Sequence, residues 1–318
     1  MALPLVIINP ASAGGGTHEE WPRLASDLRT HFGPFTSVFT ECEGQAVDLA
    51  AEAARKGVEL IIACGGDGTI SEVANGILNS GKDAELGILP SGTGGDFRRT
   101  IAIPFSSREA ARILRDGRAQ KIDVGRVSFV DFAGNQAMRY FVGVSSFGLS
   151  ADVIERVKGR GADWLSLTPR WLSGRVSFGL SMLQTAVQSK STQIVVQLDD
   201  DKERHLSVTN LCIANARYFG GGMKVAPGAK LNDGKFDVVS IGDLGALKVI
   251  TNAPRLYFGA HLSMAEVGHA LARKVIARPD TEDAQILIEV DGELPGCLPA
   301  TFQILPEALR VRFPPKSS

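Results

Sequence analysis

One stretch decides the fold: Val58-Glu59-Leu60-Ile61-Ile62-Ala63-Cys64-Gly65-Gly66-Asp67-Gly68-Thr69. Its first half is a short apolar run, typical of a buried β-strand, and the run stops at paired glycines. A helix with one apolar face follows. That face consists of Ile70, Val73, Ala74, Ile77 and Leu78. The stretch therefore predicts a buried strand, a glycine turn and a helix.

The same order recurs on both sides of this stretch. Further strands are predicted at Leu5–Ile8, Ser37–Thr40, Leu86–Leu89 and near 121–129, and further helices after Thr17, over 44–56 and around 106–116. Two of the helices are predicted to open with capping boxes, Thr17-His18-Glu19-Glu20 and Thr69-Ile70-Ser71-Glu72. Strands that alternate with helices indicate an α/β domain with a doubly wound parallel sheet over residues 1–124.

The second helix carries alanines on one face. These are Ala46, Ala50, Ala53 and Ala54. Because alanine is small, we expect this face to pack close to a sheet.

The second half of the chain has a different pattern. Strand-like runs alternate with Gly, Asp and Asn turns, which indicates a mainly antiparallel β-domain from about residue 125. The runs are Ile194–Leu198, Leu206–Ile213, Phe236–Ile241, Ile286–Val290 and Phe302–Leu305. We expect a cleft between the two domains.

Composition excludes several classes of protein. The 318 residues carry a net charge of −1, so electrostatics give no support to nucleic acid as a partner. Four cysteines without CxxC spacing argue against a zinc site or a disulfide framework. Since no apolar run reaches the roughly 18 residues of a membrane span and no signal peptide is recognisable, the expected location is the cytoplasm.

Four predicted strand ends carry turn-forming sequences, namely Asn9-Pro10-Ala11-Ser12, Thr40, Gly65–Thr69 and Pro90–Asp96. Ligands of open parallel sheets bind at the carboxyl ends of strands, so these loops are expected to converge on one crevice. In Gly65–Thr69 the glycines let phosphate oxygens approach backbone N–H groups, and the helix that follows favours an anion. Asp67 could bind magnesium through water or orient a hydroxyl group. The alternative is an ordinary strand-to-helix turn, which the second loop at Gly92–Asp96 disfavours.

Known nucleotide motifs are absent from the sequence. There is no GxxxxGK[ST] and no GxGxxG at the first strand-helix turn, which argues against a P-loop and a dinucleotide site. HExxH, HRD and DFG are missing as well, and the five histidines are isolated.

A family resemblance accounts for these loops together. Gly65-Gly66-Asp67-Gly68-Thr69, with Asn9-Pro10 before it and Pro90-Ser91-Gly92-Thr93-Gly94-Gly95-Asp96-Phe97 after it, resembles the diacylglycerol kinase catalytic-domain family. Downstream matches are Phe147–Ala151, Asn215–Gly222, Ala226–Asp237 and Asp291-Gly292-Glu293. The resemblance runs in order over nearly the whole chain. It implies an ATP-dependent lipid kinase with an α/β domain and a β-sandwich over residues 125–304. It also implies that the chain returns to the first domain over about 305–318.

The resemblance also implies a set of site residues. ATP would be bound by Asn9, Pro10, Ala11, Ser12, Ala13, Thr40, Gly65, Gly66, Asp67, Gly68, Thr69, Ile70, Ser71, Glu72 and Thr93. Glu293 would be the general base that takes the proton of the acceptor hydroxyl, assisted by Asp67 and Asp96. From the tripeptide alone, a residue of a hairpin turn is the favoured interpretation of Glu293, and the ordered family match reverses it.

A structural Mg²⁺ is implied in the second domain. Asp233 would supply a carboxylate, with the carbonyls of Lys230 and Lys235 beside it. The alternative is an Asn-Asp-Gly turn without metal, and the residues do not decide between the two.

Two positions depart from the family pattern. Gly95 stands where the family usually has an asparagine, which puts nucleotide selectivity in question. The first loop continues with Ala13 and then Gly14-Gly15-Gly16 where a Ser-Gly is usual, so a reshaped loop is expected.

A lipid kinase must reach a membrane surface. Residues 156–188 interleave arginines and lysines with aromatic residues and leucines, a pattern typical of peripheral membrane contact or, equally, of an amphipathic helix on the β-domain. Two other functions stay open, a kinase of a soluble acceptor such as NAD or a sugar, and a non-enzymatic lipid-binding protein. The sequence does not decide the oligomeric state, and a homodimer stays open.

Overall fold

In a computed structural model of the protein, the described residues are 2–92, 95–152, 154, 191–244, 246–281 and 283–315. They form two compact units. The first unit contains the chain up to Val124 and again from Pro306, and the second unit is Gly125–Leu305.

The first unit alternates strands and helices, as predicted. Its strands are β1 (Leu5–Ile8), β2 (Thr36–Phe39), β3 (Leu60–Gly65) and β4 (Glu85–Pro90). Its helices are α1 (Gly16–His31), α2 (Gln45–Arg55), α3 (Asp67–Ser80), the short α4 (Asp96–Thr100) and α5 (Ser107–Asp116). Only α4 has no counterpart among the predicted helices, because its five residues are too few for a periodic pattern.

The strands of the first unit pair in the order β2-β1-β3-β4, and all three pairs are parallel. The apolar side chains of β1, β3 and β4 are mostly buried, with Val6, Ile7 and Ile8 at 0% exposure, whereas Phe39 of the edge strand β2 is 36% exposed. Because parallel strands end at the same edge of a sheet, the loops after β1, β2, β3 and β4 leave from one edge.

A strand from the far end of the chain completes this sheet. β14 (Glu293–Phe313) pairs with β4 in parallel, with Arg310 opposite Glu85. The Glu85 carboxylate is buried and accepts two hydrogen bonds from the Arg312 guanidinium, one of them at 2.9 Å. A buried carboxylate needs such a partner, so this pair holds the end of β14 in place.

Both predicted capping boxes are wrong. α1 begins at Gly16 after the left-handed Gly15, and the Thr17 hydroxyl bonds instead to Ser91 Oγ at 2.7 Å. α3 begins at Asp67, and Thr69 Oγ1 has no hydrogen-bond partner among the described residues. In each case tertiary packing buries the threonine, so its hydroxyl is not available at the helix end.

The alanine face of α2 is buried as expected, but its close contact is with a helix. Gly76 of α3 lies so near that a Cβ there would be 2.3 Å from the Val47 carbonyl oxygen and 2.7 Å from Ala50 Cβ. Small residues on both helices permit this approach, which the prediction had assigned to a sheet.

The second unit is built mainly from antiparallel strands, as predicted. They are β6 (Gln136–Phe141), β7 (Val144–Gly148), β8 (Thr192–Leu198), β9 (Arg204–Ala214), β10 (Phe236–Gly242), β11 (Val267–Ala272), β12 (Lys274–Pro279) and β13 (Leu287–Val290), with β5 (Arg118–Val130) and β14 shared with the first unit. Helix α6 (Ala246–Phe258) and a 3-10 helix (Ala260–Ser263) lie between β10 and β11.

Strand pairing in the second unit closes on itself. β9 pairs with β8 and β7, β8 continues to β12 and β14, and β14 returns through β13 to β7. Within the predicted β-sandwich domain, these six strands therefore form a closed circuit without a free edge. Phe141 stacks on Phe236 at 5.6 Å between ring centroids in its core, and Phe302 contacts both Phe141 and Phe147.

Candidate active site

The loop after β1 is a tight turn. Asn9 Oδ1 accepts a hydrogen bond from Ala11 N at 3.0 Å, and Ser12 N donates to the Asn9 carbonyl oxygen at 3.2 Å. Ala13 is in the left-handed region with φ 57°. Ala13, Gly14 and Gly15 are three left-handed residues in succession, and they form the turn that leads into α1.

The glycine loop after β3 touches the loop after β4. Ser91 N donates to the Gly65 carbonyl oxygen at 3.0 Å. A Cβ at Gly92 would lie 2.9 Å from Gly66 Cα, so position 92 needs glycine for the loops to come this close. Together with the Thr17–Ser91 bond, these contacts bring the loops after β1, β3 and β4 into one cluster.

Asp67 ties the two glycine loops together. Its Oδ2 accepts hydrogen bonds from Gly95 N at 2.7 Å and Asp96 N at 3.0 Å, and its Oδ1 accepts one from Phe97 N at 3.0 Å. The carboxylate therefore satisfies amide groups at the start of α4, which a helix leaves without intrahelical partners.

Asp96 has a different partner. It accepts a hydrogen bond from Arg99 Nη1 at 2.7 Å, and both side chains are mostly buried. The two aspartates that the resemblance assigns to catalysis thus lie beside each other, one on backbone amides and one on a guanidinium.

The predicted ATP contacts at the end of β3 and the start of α3 differ in how far they are exposed to solvent. Gly66, Asp67 and Gly68 are half-buried at the surface of the loop, whereas Thr69, Ile70 and Ser71 are buried. Backbone N–H groups of the first turn of α3 are then what this segment can offer to a phosphate.

Two further predicted contacts have structural partners. Glu72 accepts hydrogen bonds from Gly44 N and Ala46 N, both at 3.2 Å, and so caps α2. Thr40 is buried, and its N–H donates to the Ile8 carbonyl oxygen at 2.8 Å, which joins the ends of β1 and β2. Thr93 lies outside the described residues.

Gly95 has a left-handed backbone with φ 77°. A Cβ there would lie 2.6 Å from Arg98 Nε, so the Arg98 side chain fills the space beside it. Arg98 also donates to the Ile103 carbonyl oxygen at 3.0 Å, and its guanidinium lies 5.2 Å from the centre of the Phe105 ring. Burial lowers the pKa of this guanidinium. The Arg98 side chain therefore occupies the space that a side chain at position 95, such as the family's asparagine, would enter.

Glu293 begins β14 after a two-residue hairpin turn. Asp291 and Gly292 both have positive φ, 49° and 88°, as this turn type requires, and Val290 pairs with Glu293 across it. The Asp291 carboxylate accepts hydrogen bonds from Val142 N at 3.0 Å and Gly143 N at 2.9 Å. Glu293 is half-buried and is held on a turn that is fixed from one side by Asp291.

Glu289, four residues before Glu293, is a buried acid that the sequence interpretation missed. Burial raises its pKa to about 8, and the nearby Asp291 and Glu293 add to this, whereas the hydrogen bonds that the ionised form accepts from Ser146 and Gly292 lower it. Its signal in the sequence is one charged residue inside the apolar run Ile286–Val290.

An apolar pocket opens in the second unit beside α6. The space between its walls is about 660 Å³, and part of this space is open to solvent. Most of its walls are apolar, and Ser150, Asn210 and His261 are among its few polar residues. The apolar residues are Leu149, Phe219, Ile241, Leu244, Val249, Ala253, Leu256, Met264 and Val267. A pocket of this composition suits a hydrocarbon chain.

The predicted metal segment forms a turn. Asp233 is exposed, and its Oδ1 accepts a hydrogen bond from Lys235 N at 3.1 Å, which is an Asx bend. Within the described ranges, no three His, Cys, Asp or Glu side chains come together in a way that could bind a metal ion. Asp233 is the one carboxylate of residues 230–235, and Mg²⁺ here stays a prediction.

Two protein-family models match this chain. The model described as the diacylglycerol kinase catalytic domain matches residues 4–127, and the YegS C-terminal NAD kinase beta sandwich-like domain matches 146–313. The chain belongs to the diacylglycerol kinase catalytic-domain family. Membership supports kinase activity and the use of ATP, as the motifs implied.

Relatives of the diacylglycerol kinase family match along most of the chain. The diacylglycerol kinase of Mycobacterium tuberculosis is 29% identical over 267 residues, which are 84% of this chain and 80% of that protein. The diacylglycerol kinase of Bacillus subtilis is 28% identical over 280 residues, 86% and 84% of the two chains. A crystal structure of a diacylglycerol kinase from Bacillus anthracis has the same fold, with a TM-score of 0.75 at 23% identity over 98% of this chain and 97% of that chain.

Among the residues that the structure describes, none of the helices combines the length and the apolar character of a membrane span. The predicted membrane segment, residues 156–188, lies outside the described residues.

Proposed function

We propose that the protein is an ATP-dependent lipid kinase, which transfers the γ-phosphoryl group of ATP to a lipid hydroxyl. The observation that carries the lipid part of this proposal is the apolar pocket of the second unit, since a soluble acceptor such as NAD or a sugar needs a polar one. Family membership and the glycine loops support the nucleotide part.

On the nucleotide side, the glycine loops supply backbone N–H groups for phosphate oxygens, because side chains are absent at Gly65, Gly66 and Gly92. Asp67 holds the second loop against the first, and we infer that it shapes the site through Gly95, Asp96 and Phe97 N–H rather than through the reacting atoms. Mg²⁺, when bound with ATP, would neutralise phosphate charge.

On the acceptor side, Glu293 takes the proton of the lipid hydroxyl. The hydroxyl oxygen forms a bond to the γ-phosphorus while the bond from that phosphorus to the bridging oxygen breaks, and ADP leaves. The half-buried position of Glu293 on a fixed turn supports this role, because a base must be held at a defined place.

Incubation with γ-labelled ATP and a panel of acceptors tests the proposal. The panel contains diacylglycerol, sphingosine, ceramide, phosphatidylglycerol, NAD and a hexose. We expect label in a lipid, and its loss by at least a hundredfold in Glu293→Gln but not in Glu203→Gln, a change at an exposed carboxylate of the same unit. Label only in a soluble acceptor would overturn the lipid assignment, and lipid binding without turnover would indicate a non-enzymatic protein.

Peripheral membrane contact through residues 156–188 belongs to the same proposal, since the acceptor resides in a bilayer. Co-sedimentation with vesicles containing anionic lipid measures it. We expect Trp164→Ala combined with Trp171→Ala to reduce the bound fraction, whereas unchanged binding would remove this segment from the proposal.

A further inference from the structure

The Glu289 carboxyl group is buried at 4% exposure in β13, in a strand that is otherwise apolar. A carboxyl group in such a place costs free energy unless hydrogen bonds compensate for the lost water. We therefore expect the Glu289 carboxyl group to have a role that an apolar side chain of similar size would not perform.

Both carboxyl oxygens of Glu289 have partners on functional elements. Oε1 accepts a hydrogen bond from Gly292 N at 2.6 Å, and Oε2 is hydrogen-bonded to Ser146 Oγ. Gly292 is the second residue of the turn that presents Glu293. The turn is thus held from two sides, by Glu289 on the Gly292 amide and by Asp291 on the amides of Val142 and Gly143.

From Ser146 the hydrogen bonds continue to the wall of the apolar pocket. Ser146 Oγ lies 2.7 Å from Ser150 Oγ, and Ser150 donates to Asn210 Oδ1 through its hydroxyl at 2.8 Å and its N–H at 3.0 Å. Ser150 and Asn210 line the pocket. An unbroken chain of hydrogen bonds therefore connects the pocket wall with the Gly292 amide.

The hydrogen bonds from Glu289 to Asn210 all run in one direction, from donor to acceptor, when Glu289 is neutral. Because Oε1 faces an N–H donor, the carboxyl proton sits on Oε2 and is donated to Ser146, which leaves Ser146 to donate to Ser150 and Ser150 to donate to Asn210. Burial raises the pKa of Glu289 to about 8, so the neutral acid is the main form at pH 7. Glutamine in its place would donate from Nε2 in the same direction.

We propose that Glu289 is a positioning residue for Glu293, which fixes the Asp291–Gly292 turn and couples it through Ser146 and Ser150 to the lipid that fills the pocket at Asn210. This inference rests on the proposed function, since it assumes that Glu293 acts as the base on a pocket-bound lipid. Glu289 itself touches no reacting atom in this account.

Steady-state kinetics of lipid phosphorylation on four variants test the proposal. Glu289→Leu keeps the side-chain volume but removes both hydrogen bonds, and we expect kcat to fall 10- to 100-fold with the KM for ATP within twofold. Glu289→Gln should restore kcat to within threefold of the parent protein. Ser146→Ala, which breaks the chain on the pocket side, should lower kcat and raise the KM for lipid. The control Glu203→Leu makes the same chemical change on the exposed surface of the second unit and should leave both parameters unchanged.

A double variant separates positioning from general destabilisation. If Glu289 acts through Glu293, adding Glu289→Leu to Glu293→Gln should cause no further loss of kcat beyond twofold, whereas independent effects would multiply. Circular dichroism and thermal unfolding verify that each variant is folded, and Ser146→Ala alone serves if Glu289→Leu is not.

The outcomes are distinct. Normal kcat in Glu289→Leu, or multiplied losses in the double variant, would overturn the positioning role while the lipid kinase assignment stands. Absence of lipid phosphorylation by the parent protein would instead reject the proposed function and this inference with it.

Discussion

Replacing Asp67 by alanine would remove the acceptor for three amide groups at once, those of Gly95, Asp96 and Phe97. Loss of an N-terminal helix cap costs about 0.5–2 kcal/mol, and a hydrogen bond to a charged group contributes about 1.5–3 kcal/mol. Because Asp67 is only half-buried, water replaces part of what is lost. We therefore expect the free energy that opens this loop to fall by about 2–4 kcal/mol, less than the sum of three separate bonds.

Hydrogen–deuterium exchange measures this change where it occurs. A fall of about 2–4 kcal/mol corresponds to roughly 30- to 700-fold faster exchange of the amides at 95–97, at about 1.4 kcal/mol per tenfold change. Asp48→Ala, at an exposed aspartate of α2, is the matched control and should change local exchange less than about threefold.

The activity of Asp67→Ala distinguishes two roles. If Asp67 holds the loop, faster exchange and weaker ATP binding should appear together, and Asp67→Asn should lie between alanine and the parent protein. Unchanged exchange at 95–97 together with a large loss of kcat would refute this reasoning, because Asp67 would then act on the reacting groups.

Three further changes follow from the structure. Glu72→Ala removes the acceptor of two amides at the start of α2, so the free energy of unfolding in urea should fall by about 1 kcal/mol, while Glu41→Ala at an exposed site should change it by less than about 0.5 kcal/mol. Gly95→Asn should lower the Tm because its Cβ meets Arg98, and Arg98→Ala should restore part of the loss, a non-additivity of about 1 kcal/mol that disappears if Arg98 simply moves aside. The pKa of Glu289, about 8 in the fold against an ordinary 4.5, means that the folded protein holds this proton more tightly. Its contribution to stability is therefore greatest below about pH 4.5 and falls through about pH 8, by roughly 4–5 kcal/mol at 1.4 kcal/mol per unit. In urea titrations at pH 5, 7 and 9, the free energy of unfolding of Glu289→Gln should lack this pH dependence. An identical pH dependence in both proteins would contradict the raised pKa of Glu289.

Local patterns predicted the elements of the first unit well. Leu5–Ile8 could be predicted from a short apolar run, and the helix predicted around 106–116 is capped locally, since the Ser106 side chain accepts a hydrogen bond from the Glu109 N–H. The determinants of both elements lie within a few residues of each other. The two threonine capping boxes failed for the opposite reason. Thr17 bonds to Ser91, and Glu72 bonds to the start of a different helix, which no window along the chain contains.

The site could be predicted in part. Sequence placed Asp67 and Glu293 in functional loops, but their actual surroundings depend on residues far away in the chain. Asp67 meets amides at 95–97, and Glu289 meets Ser146, a partner 143 positions earlier. A buried acid in an apolar strand is the kind of departure from local rules that marks such a place.

The order in which a ribosome delivers this chain does not match the order of its architecture. β4 of the first unit is complete at Pro90, but its neighbour β14 and the arginine that meets Glu85 are synthesised only after all of Gly125–Leu305. During that interval the nascent sheet carries an open edge and a carboxylate without the arginine that later pairs with it, both of which favour wrong pairing between chains. The nucleotide loops are thus made early but gain a finished scaffold late, so a chain halted before residue 306 would carry every glycine of the site on an incomplete sheet.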